Sequence, residues 1–190
     1  MIFAPKEIIL KNGKKAILRN VTPEDAQEIL KFYKQIAGET FFMMRYPEEC
    51  DLMDVEGEQE RLKAKQDSKD NLFLCCETEG KIVGDCGLSR QCHIKTRHRG
   101  SVGIGILKEY WNMGIGTALF EEIIKAGKEM GLCQLELGVF EGNERGMSLY
   151  RKMGFSQVSE LPNAVRLKDG TMLKEYTMIR DINHDRRRRV

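Results

Sequence analysis

The chain has 190 residues, 41% hydrophobic and 32% charged, which is enough for one well-solvated domain with a real core. Lys and Arg number 31 against 29 Asp and Glu, for a net charge of +2. Four of the basic residues are Arg186 to Arg189; without them acids outnumber bases by two, so the body lacks the charge signature of a nucleic-acid binder.

Glu7 to Leu10 and Lys15 to Arg19 flank Asn12-Gly13, which predicts a hairpin closed by a type I′ turn, with Ile17 to Val21 as the core strand. Thr22-Pro23-Glu24-Asp25 reads as a helix start, with Thr22 as N-cap and Pro23 in the first turn. The periodicity that follows places Ala26, Ile29, Leu30, Tyr33 and Ala37 on one face, and Gly38 is the expected stop. Phe41 to Tyr46 is dense in aromatics and methionines without a clear period, and it suits either core filling or a pocket wall. Leu52 to Lys69 reads as a charged helix, capped or interrupted near Gly57, with Glu58 and Glu60 on a solvated face.

Asn71 to Glu77 and Lys81 to Leu88 read as strands around a turn at Thr78-Glu79-Gly80. Gly84 and Gly87 leave room for a neighbouring backbone or a ligand. A basic run, Cys92 to Arg99, precedes a third strand, Val102 to Leu107. The next helix spans Gly114 to Gly131, buries Leu119, Ile123 and Ala126, and ends on a glycine cap. Gln134 to Phe140 alternates as a strand, and Asn143 to Lys152 is a short helix. Ser156 to Leu167 and Thr171 to Ile179 flank Asp169-Gly170 as a closing hairpin. The expected organisation is an α/β domain over 1–180 with a mixed, mostly antiparallel twisted sheet flanked by helices, then an Arg-rich tail over 181–190.

The six cysteines form no C-x-x-C pair, and adjacent Cys75 and Cys76 point to opposite sides of a strand. No secretory leader pattern opens the chain and no apolar run reaches membrane-spanning length. Free thiols in a reducing cytoplasm are expected. His93, His98 and His184 do not pair with cysteines at ligand spacing, so no metal site is expected.

The chemistry concentrates between Ser101 and Leu119. An apolar strand ends there, and Tyr110-Trp111-Asn112-Met113-Gly114-Ile115-Gly116-Thr117 leads into a helix. Glycines at a helix start let backbone N–H groups converge on an anion. This stretch resembles the acetyl-CoA signature of the GNAT N-acetyltransferase superfamily, Q/R-x-x-G-x-G/A. A second segment, Asn143-Glu144-Arg145 through Leu149-Tyr150-Arg151-Lys152-Met153-Gly154-Phe155, resembles the family's N-x-R-A…L-Y-x-K-x-G-F element. The order of elements agrees from about Ile17 to Ile179, and the branch most similar contains ribosomal-protein and amino-acid N-acetyltransferases.

The resemblance implies an acyl-CoA N-acyltransferase fold and a transfer of acetyl from acetyl-CoA to a primary amine of a small molecule or peptide, by direct attack in a ternary complex. It implies that Ile106, Leu107, Asn112, Met113, Gly114, Ile115, Gly116, Thr117 and Asn143 hold the cofactor. It implies further that the strand ending at Ile106-Leu107 splays from the strand of Leu135 to Val139 to admit the pantetheine arm. Tyr150 matches the tyrosine that protonates the departing thiolate; a structural tyrosine and, for Asn143, a helix N-cap are the plainer alternatives. No nucleic-acid or membrane partner is implied, and a homodimer is left open.

Two positions depart from the family pattern. Trp111 stands at the Q/R position, so the turn relies on backbone donors. Ser101 stands where relatives often place an acid, and serine is no base. His98, His93, Asp85, Glu136, Glu141 or a water chain are the substitutes. That gap motivates an alternative, a non-catalytic acyl-CoA-binding sensor on the same fold. The acids between Pro47 and Glu60 keep a polyamine or basic-peptide acceptor open beside a solvated helix face. A dinucleotide-binding oxidoreductase fits poorly, because no G-x-G-x-x-G follows a first strand.

Overall fold

The computed structural model describes residues 1–182; Arg186 to Arg189 and His184 lie outside the described residues. The elements are β1 (Lys6–Ile9), β2 (Lys15–Asn20), α1 (Ala26–Glu39), α2 (Pro47–Cys50), α3 (Val55–Asp67), β3 (Asn71–Thr78), β4 (Lys81–Arg90), β5 (Arg99–Ile106), α4 (Ile115–Glu129), β6 (Gln134–Phe140), α5 (Glu144–Lys152), β7 (Ser156–Arg166) and β8 (Met172–Asp181). The strands form one sheet in the order β1-β2-β3-β4-β5-β6-β8-β7. β5 and β6 pair parallel, while β1/β2, β2/β3, β6/β8 and β7/β8 pair antiparallel. The expected mixed, mostly antiparallel α/β sheet is therefore present.

The chain clusters into two compact units: Met1–Gly87 with Ile104–Ile123, and Leu88–Gly103 with Ile124 onward. In the first unit the core collects Leu18, Ile29, Phe32, Ile36, Leu62, Leu72, Leu74, Val83, Leu107, Ile115 and Leu119. α1 buries Ala26, Ile29, Phe32, Ile36 and Ala37, whereas Leu30 and Tyr33 are only partly covered. The stripe is thus rotated toward Phe32 and Ile36 from the expected face. The helix also passes Gly38 and ends at Glu39. Its entry is tied by Asp25, whose Oδ2 accepts from the Thr22 N–H at 2.8 Å and whose carboxylate pairs with Arg19 at 2.7 Å.

The expected helix over 52–69 starts later, at Val55, because Asp54 caps it by accepting from the Gly57 N–H at 2.7 Å. The expected solvated position of Glu58 is corrected: Glu58 is 2% exposed and pairs with Arg61 one turn on. Arg61 spreads over the Tyr33 and Phe73 rings, at 5.8 and 5.7 Å to the centroids, and its stem and guanidinium cover the acid.

The two closing hairpins share one loop design. Leu10 donates to Lys14 C=O and Gly13 to Leu10 C=O; Leu167 donates to Thr171 C=O and Gly170 to Leu167 C=O. Only the glycines are left-handed, at φ 85° and 89°. The expected type I′ turn at Asn12-Gly13 is therefore a three-residue loop with a left-handed glycine instead. Asn12 and Asp169 cause the change, since each uses its side-chain oxygen to accept from the N–H two residues on, at 3.0 and 2.9 Å. Two consecutive positive φ values occur at Glu79-Gly80, between β3 and β4.

In the second unit the core is built from Leu88, Leu132, Leu135, Met178 and Ile182. Gly100 and Gly127 sit where a side chain would strike Leu132 and Leu135, so α4 and β6 close tightly there. β5 and β6 are in register for Arg99↔Gln134, Gly100↔Leu135 and Ser101↔Glu136, and the register ends at that third pair. β5 continues to Ile106 and β6 to Phe140.

Candidate active site

The glycine-bearing turn lies in the first unit. Its approach is fixed at both ends of Leu107: the Leu107 N–H donates to Val83 C=O at 3.0 Å, and Leu107 C=O accepts from Tyr110 at 2.9 Å. Leu107 is fully buried, so it anchors the turn through backbone and side chain together. A short 3-10 turn, Lys108–Tyr110, follows. The Trp111 indole N–H then donates to Ile106 C=O at 2.8 Å. The tryptophan at the Q/R position thus braces the end of β5 rather than offering a charge. Met113 C=O accepts from Lys11 of the first hairpin at 3.2 Å.

Asn112 and Gly114 take positive φ, 63° and 96°, on either side of Met113, whose φ is negative. Alternation of this kind turns successive N–H groups toward one side, the geometry of an anion nest. Ala118 makes the first ladder bond of α4, to Gly114 C=O at 3.1 Å. The N–H groups of Ile115 and Gly116 precede that bond and stand at the positive end of a helix of 15 residues. The backbone thus fits a pyrophosphate, and no charged side chain within the turn is required.

Asn143 and Tyr150 lie in the second unit. Asn143 caps α5, its Oδ1 accepting from the Gly146 N–H at 2.9 Å, and the missing side chain of Gly146 gives that amide its room. Tyr150 is 8% exposed and meets the Phe155 ring edge-on at 6.4 Å. Gly154 reverses the chain at φ 81° so that Phe155 N–H can reach Tyr150 C=O at 2.9 Å. Gly84 and Gly87 accommodate protein rather than ligand: a Cβ on Gly84 would meet Gly105 C=O at 3.2 Å, and one on Gly87 the Phe73 ring at 3.5 Å.

The substitutes for a base at Ser101 separate clearly. His93 and His98 are exposed, and each is tied through its backbone carbonyl, to Thr96 N–H and to Cys133 N–H. Glu141 closes a reciprocal pair with Lys174, accepting from its N–H at 3.1 Å. Ser101 Oγ donates to Glu136 Oε1 at 3.2 Å and accepts from Gln91 Nε2 at 2.9 Å. Gln91 also donates to Glu136 at 2.7 Å, and Arg99 lies 3.5 Å from the other carboxylate oxygen. Glu136 thus stands opposite the serine with both oxygens occupied. Gln91 and Arg99 carried no sequence signal, because only the strand register brings them to Glu136.

Asp85, on β4, ends a buried relay. Glu58 holds Arg61, and Arg61 donates to the Tyr33 hydroxyl at 3.1 Å, close to the buried Asp85 carboxyl. Burial pushes the Asp85 carboxyl up to about 7, against the opposing pull of the Gly105 N–H, Lys65, Tyr33 and Arg61. Burial likewise lowers Lys65, which lies 4.6 Å from the centroid of the Phe73 ring. The acids between Pro47 and Glu60 are largely committed: Glu49 accepts from Tyr46 N–H, Asp51 pairs with Lys34, Asp54 caps α3 and Glu58 is buried. Among the described residues no cluster of potential metal ligands occurs.

Residues 30–155 match the family described as Acetyltransferase (GNAT) family. An N-alpha-acetyltransferase of Sulfurisphaera tokodaii is 28% identical over 160 residues, 80% of this chain and 86% of that protein. An L-amino acid N-acetyltransferase of Escherichia coli is 28% identical over 123 residues, 64% of this chain and 74% of that protein. Among solved structures, the GNAT-family acetyltransferase of Streptococcus pneumoniae superimposes with a TM-score of 0.83 at 28% identity, covering 87% of this chain and 99% of that one. The yncA protein of Salmonella typhimurium, solved with its cofactor acetyl-CoA, shares the fold at a TM-score of 0.77 and 16% identity, over 89% and 95% of the two chains. With two thirds of its length inside the family match and the glycine turn built as described, this chain belongs to the GNAT family of acetyl-CoA-dependent acetyltransferases.

Proposed function

We propose that the protein acetylates a primary amine, the α-amino group of an amino acid or of a peptide N-terminus, by direct attack on acetyl-CoA within a ternary complex. The observation that carries the reading is the turn from Asn112 to Gly114, with its alternating φ signs and the N–H groups of Ile115 and Gly116 ahead of the α4 ladder. In this reading the turn holds the pyrophosphate and the end of β5 at Ile106 receives the pantetheine arm, while Asn143 orders the start of α5. The register of β5 and β6 supports this, because it ends at Ser101↔Glu136 while both strands run on.

The chemistry is economical. The amine nitrogen attacks the thioester carbon, a C–N bond forms, and the carbonyl becomes an oxyanion. Collapse breaks the C–S bond, and the Tyr150 hydroxyl supplies a proton to the departing thiolate. The α-amine acceptor is favoured by the relatives' acceptors and by the committed acids of the segment from Pro47 to Glu60. The buried free thiols Cys50, Cys75, Cys76 and Cys86 suit action in a reducing cytoplasm.

The test is calorimetric titration with acetyl-CoA, then a panel of amino acids, peptides and polyamines read by product mass, since the exposed thiol of Cys92 would confound a thiol-reactive dye. Saturable binding, acetylation of an α-amine and a loss of roughly 100-fold in kcat for Tyr150→Phe are expected. Binding without turnover on any amine, unchanged in Tyr150→Phe, would instead establish the sensor.

A further inference from the structure

Proton removal from the attacking amine has no residue assigned to it so far: Ser101 is no base, and Glu136 is held by Ser101, Gln91 and Arg99. β6 and β8 provide another group. In their antiparallel register Glu136 faces Ile179, Gly138 faces Thr177 and Phe140 faces Glu175. Residues two apart on a strand share a face, and directly opposed residues do too. Ser101, Glu136, Gly138, Thr177 and Glu175 therefore lie on one face of the sheet.

Glu175 is the diagonal neighbour of Gly138 and leans across it. Its carboxylate oxygen Oε1 occupies the place where a Cβ on residue 138 would be, and its Cδ and Cγ lie 3.2 and 3.6 Å from that point. The glycine is not there for its backbone, since its φ is not positive. Its lack of a side chain gives the carboxylate of the next strand a path across β6. The Glu175 side chain is half-buried and makes no hydrogen bond or ion pair among the described residues, while the ammonium of its neighbour Lys174 is spent on Glu160 at 3.2 Å. Gly138 itself is exposed. It is also the first residue on this face of β6 beyond the last pair with β5, where the strand edge becomes available to a bound thioester.

We infer that Glu175 is the proton acceptor of the transfer, reaching the reaction across Gly138 from the strand behind. This rests on the acetyltransferase reading above. The neutral amine attacks the thioester carbon. The nitrogen of the tetrahedral intermediate carries the positive charge, and its N–H proton passes to a Glu175 carboxylate oxygen, directly or through one water. The oxyanion then re-forms the carbonyl, the C–S bond breaks with its electron pair going to sulfur, and the thiolate is protonated. When product leaves, Glu175 gives its proton to solvent and Tyr150, which protonated the thiolate, regains one from solvent.

The experiment compares wild type, Glu175→Gln, Glu175→Ala and the double variant Glu175→Ala with Gly138→Asp, on the best acceptor of the amine panel, with acetyl-CoA affinity measured alongside. Glu175→Gln keeps size and polarity, so it preserves the fold. It is expected to lose 100-fold or more in kcat while acetyl-CoA affinity stays within about twofold. The double variant places a carboxylate on β6 in the volume that Glu175 vacates, and it is expected to regain at least tenfold over Glu175→Ala. A kcat of Glu175→Gln within threefold of wild type overturns the inference and leaves the acetyltransferase reading standing. A wild type that does not bind acetyl-CoA overturns both.

Discussion

Ser101 and Glu136 face each other across the last parallel pair of β5 and β6, joined Oγ to Oε1 at 3.2 Å. The acid at this level of the sheet is therefore on β6, and its charge is already met by Arg99 and its lone pairs by Gln91 and Ser101. Restoring an acid by Ser101→Glu would set two carboxylates directly opposite each other, an arrangement that destabilises strand pairs. The variant is expected to lose about 1 kcal/mol or more of stability in urea unfolding, with no gain in acetyl transfer. A faster enzyme would show that Ser101 limits the wild type.

Asp85 should give the stability of the protein a pH dependence. Burial pushes its carboxyl up to about 7, while an unfolded chain titrates its aspartates near 3.9. Between these values the folded protein holds a proton that the unfolded chain has released. The stabilisation from Asp85 is full below about pH 4 and is lost as pH rises through about 7, at no more than about 1.4 kcal/mol per pH unit. Asp85→Asn lacks this slope. Unfolding free energies of the two proteins at pH 5 and pH 8 should differ in favour of the variant at the higher pH; an equal offset at both would disprove the assignment.

Gly114 should not tolerate a side chain. Nothing lies within 4 Å of where its Cβ would be, so the obstacle is the backbone, at φ 96°. Gly114→Ala is expected to cost about 1–3 kcal/mol locally. Because the same φ aims the nest, acetyl-CoA affinity should fall roughly tenfold in calorimetry, which corresponds to about 1.4 kcal/mol. Gly103, equally open and without positive φ, is the control, and Gly103→Ala should bind normally.

Glu58 should matter to folding despite its place in a charged helix. Its side chain is 1% exposed and its partner Arg61 36% exposed. Glu58→Gln keeps the shape and removes the charge that holds Arg61 over Tyr33 and Phe73. A loss of about 1–3 kcal/mol in urea unfolding is expected, with the denaturant slope unchanged. Glu60→Gln, on the exposed face of the same helix, should shift the midpoint hardly at all.

The parts legible in the sequence were those written in local chemistry. Asn143 caps its helix, Gly131 and Gly154 take left-handed φ, and alternation marks the strands. The motif around Gly114 and Gly116 was legible for the same reason: a backbone anion nest needs glycine and a helix start at fixed spacing. Local rules also failed where a side chain had a competing partner. Asn12 bonds to Lys14 N–H and so changes its turn, and Glu58 looks solvated in sequence because the cover supplied by Arg61, Tyr33 and Phe73 comes partly from other elements.

By itself the sequence determined the order of the main elements, the family and the glycine-bearing turn, since periodicity, capping and glycine spacing act within a few residues of chain. Strand register decided the rest. It put Glu136 opposite Ser101, ended the β5/β6 pairing two residues before Gly138, and laid Glu175, 37 residues beyond that glycine, into the space it leaves open. Shifting a strand by one residue would send each of these side chains to the other face, so their meeting is a property of the assembled sheet.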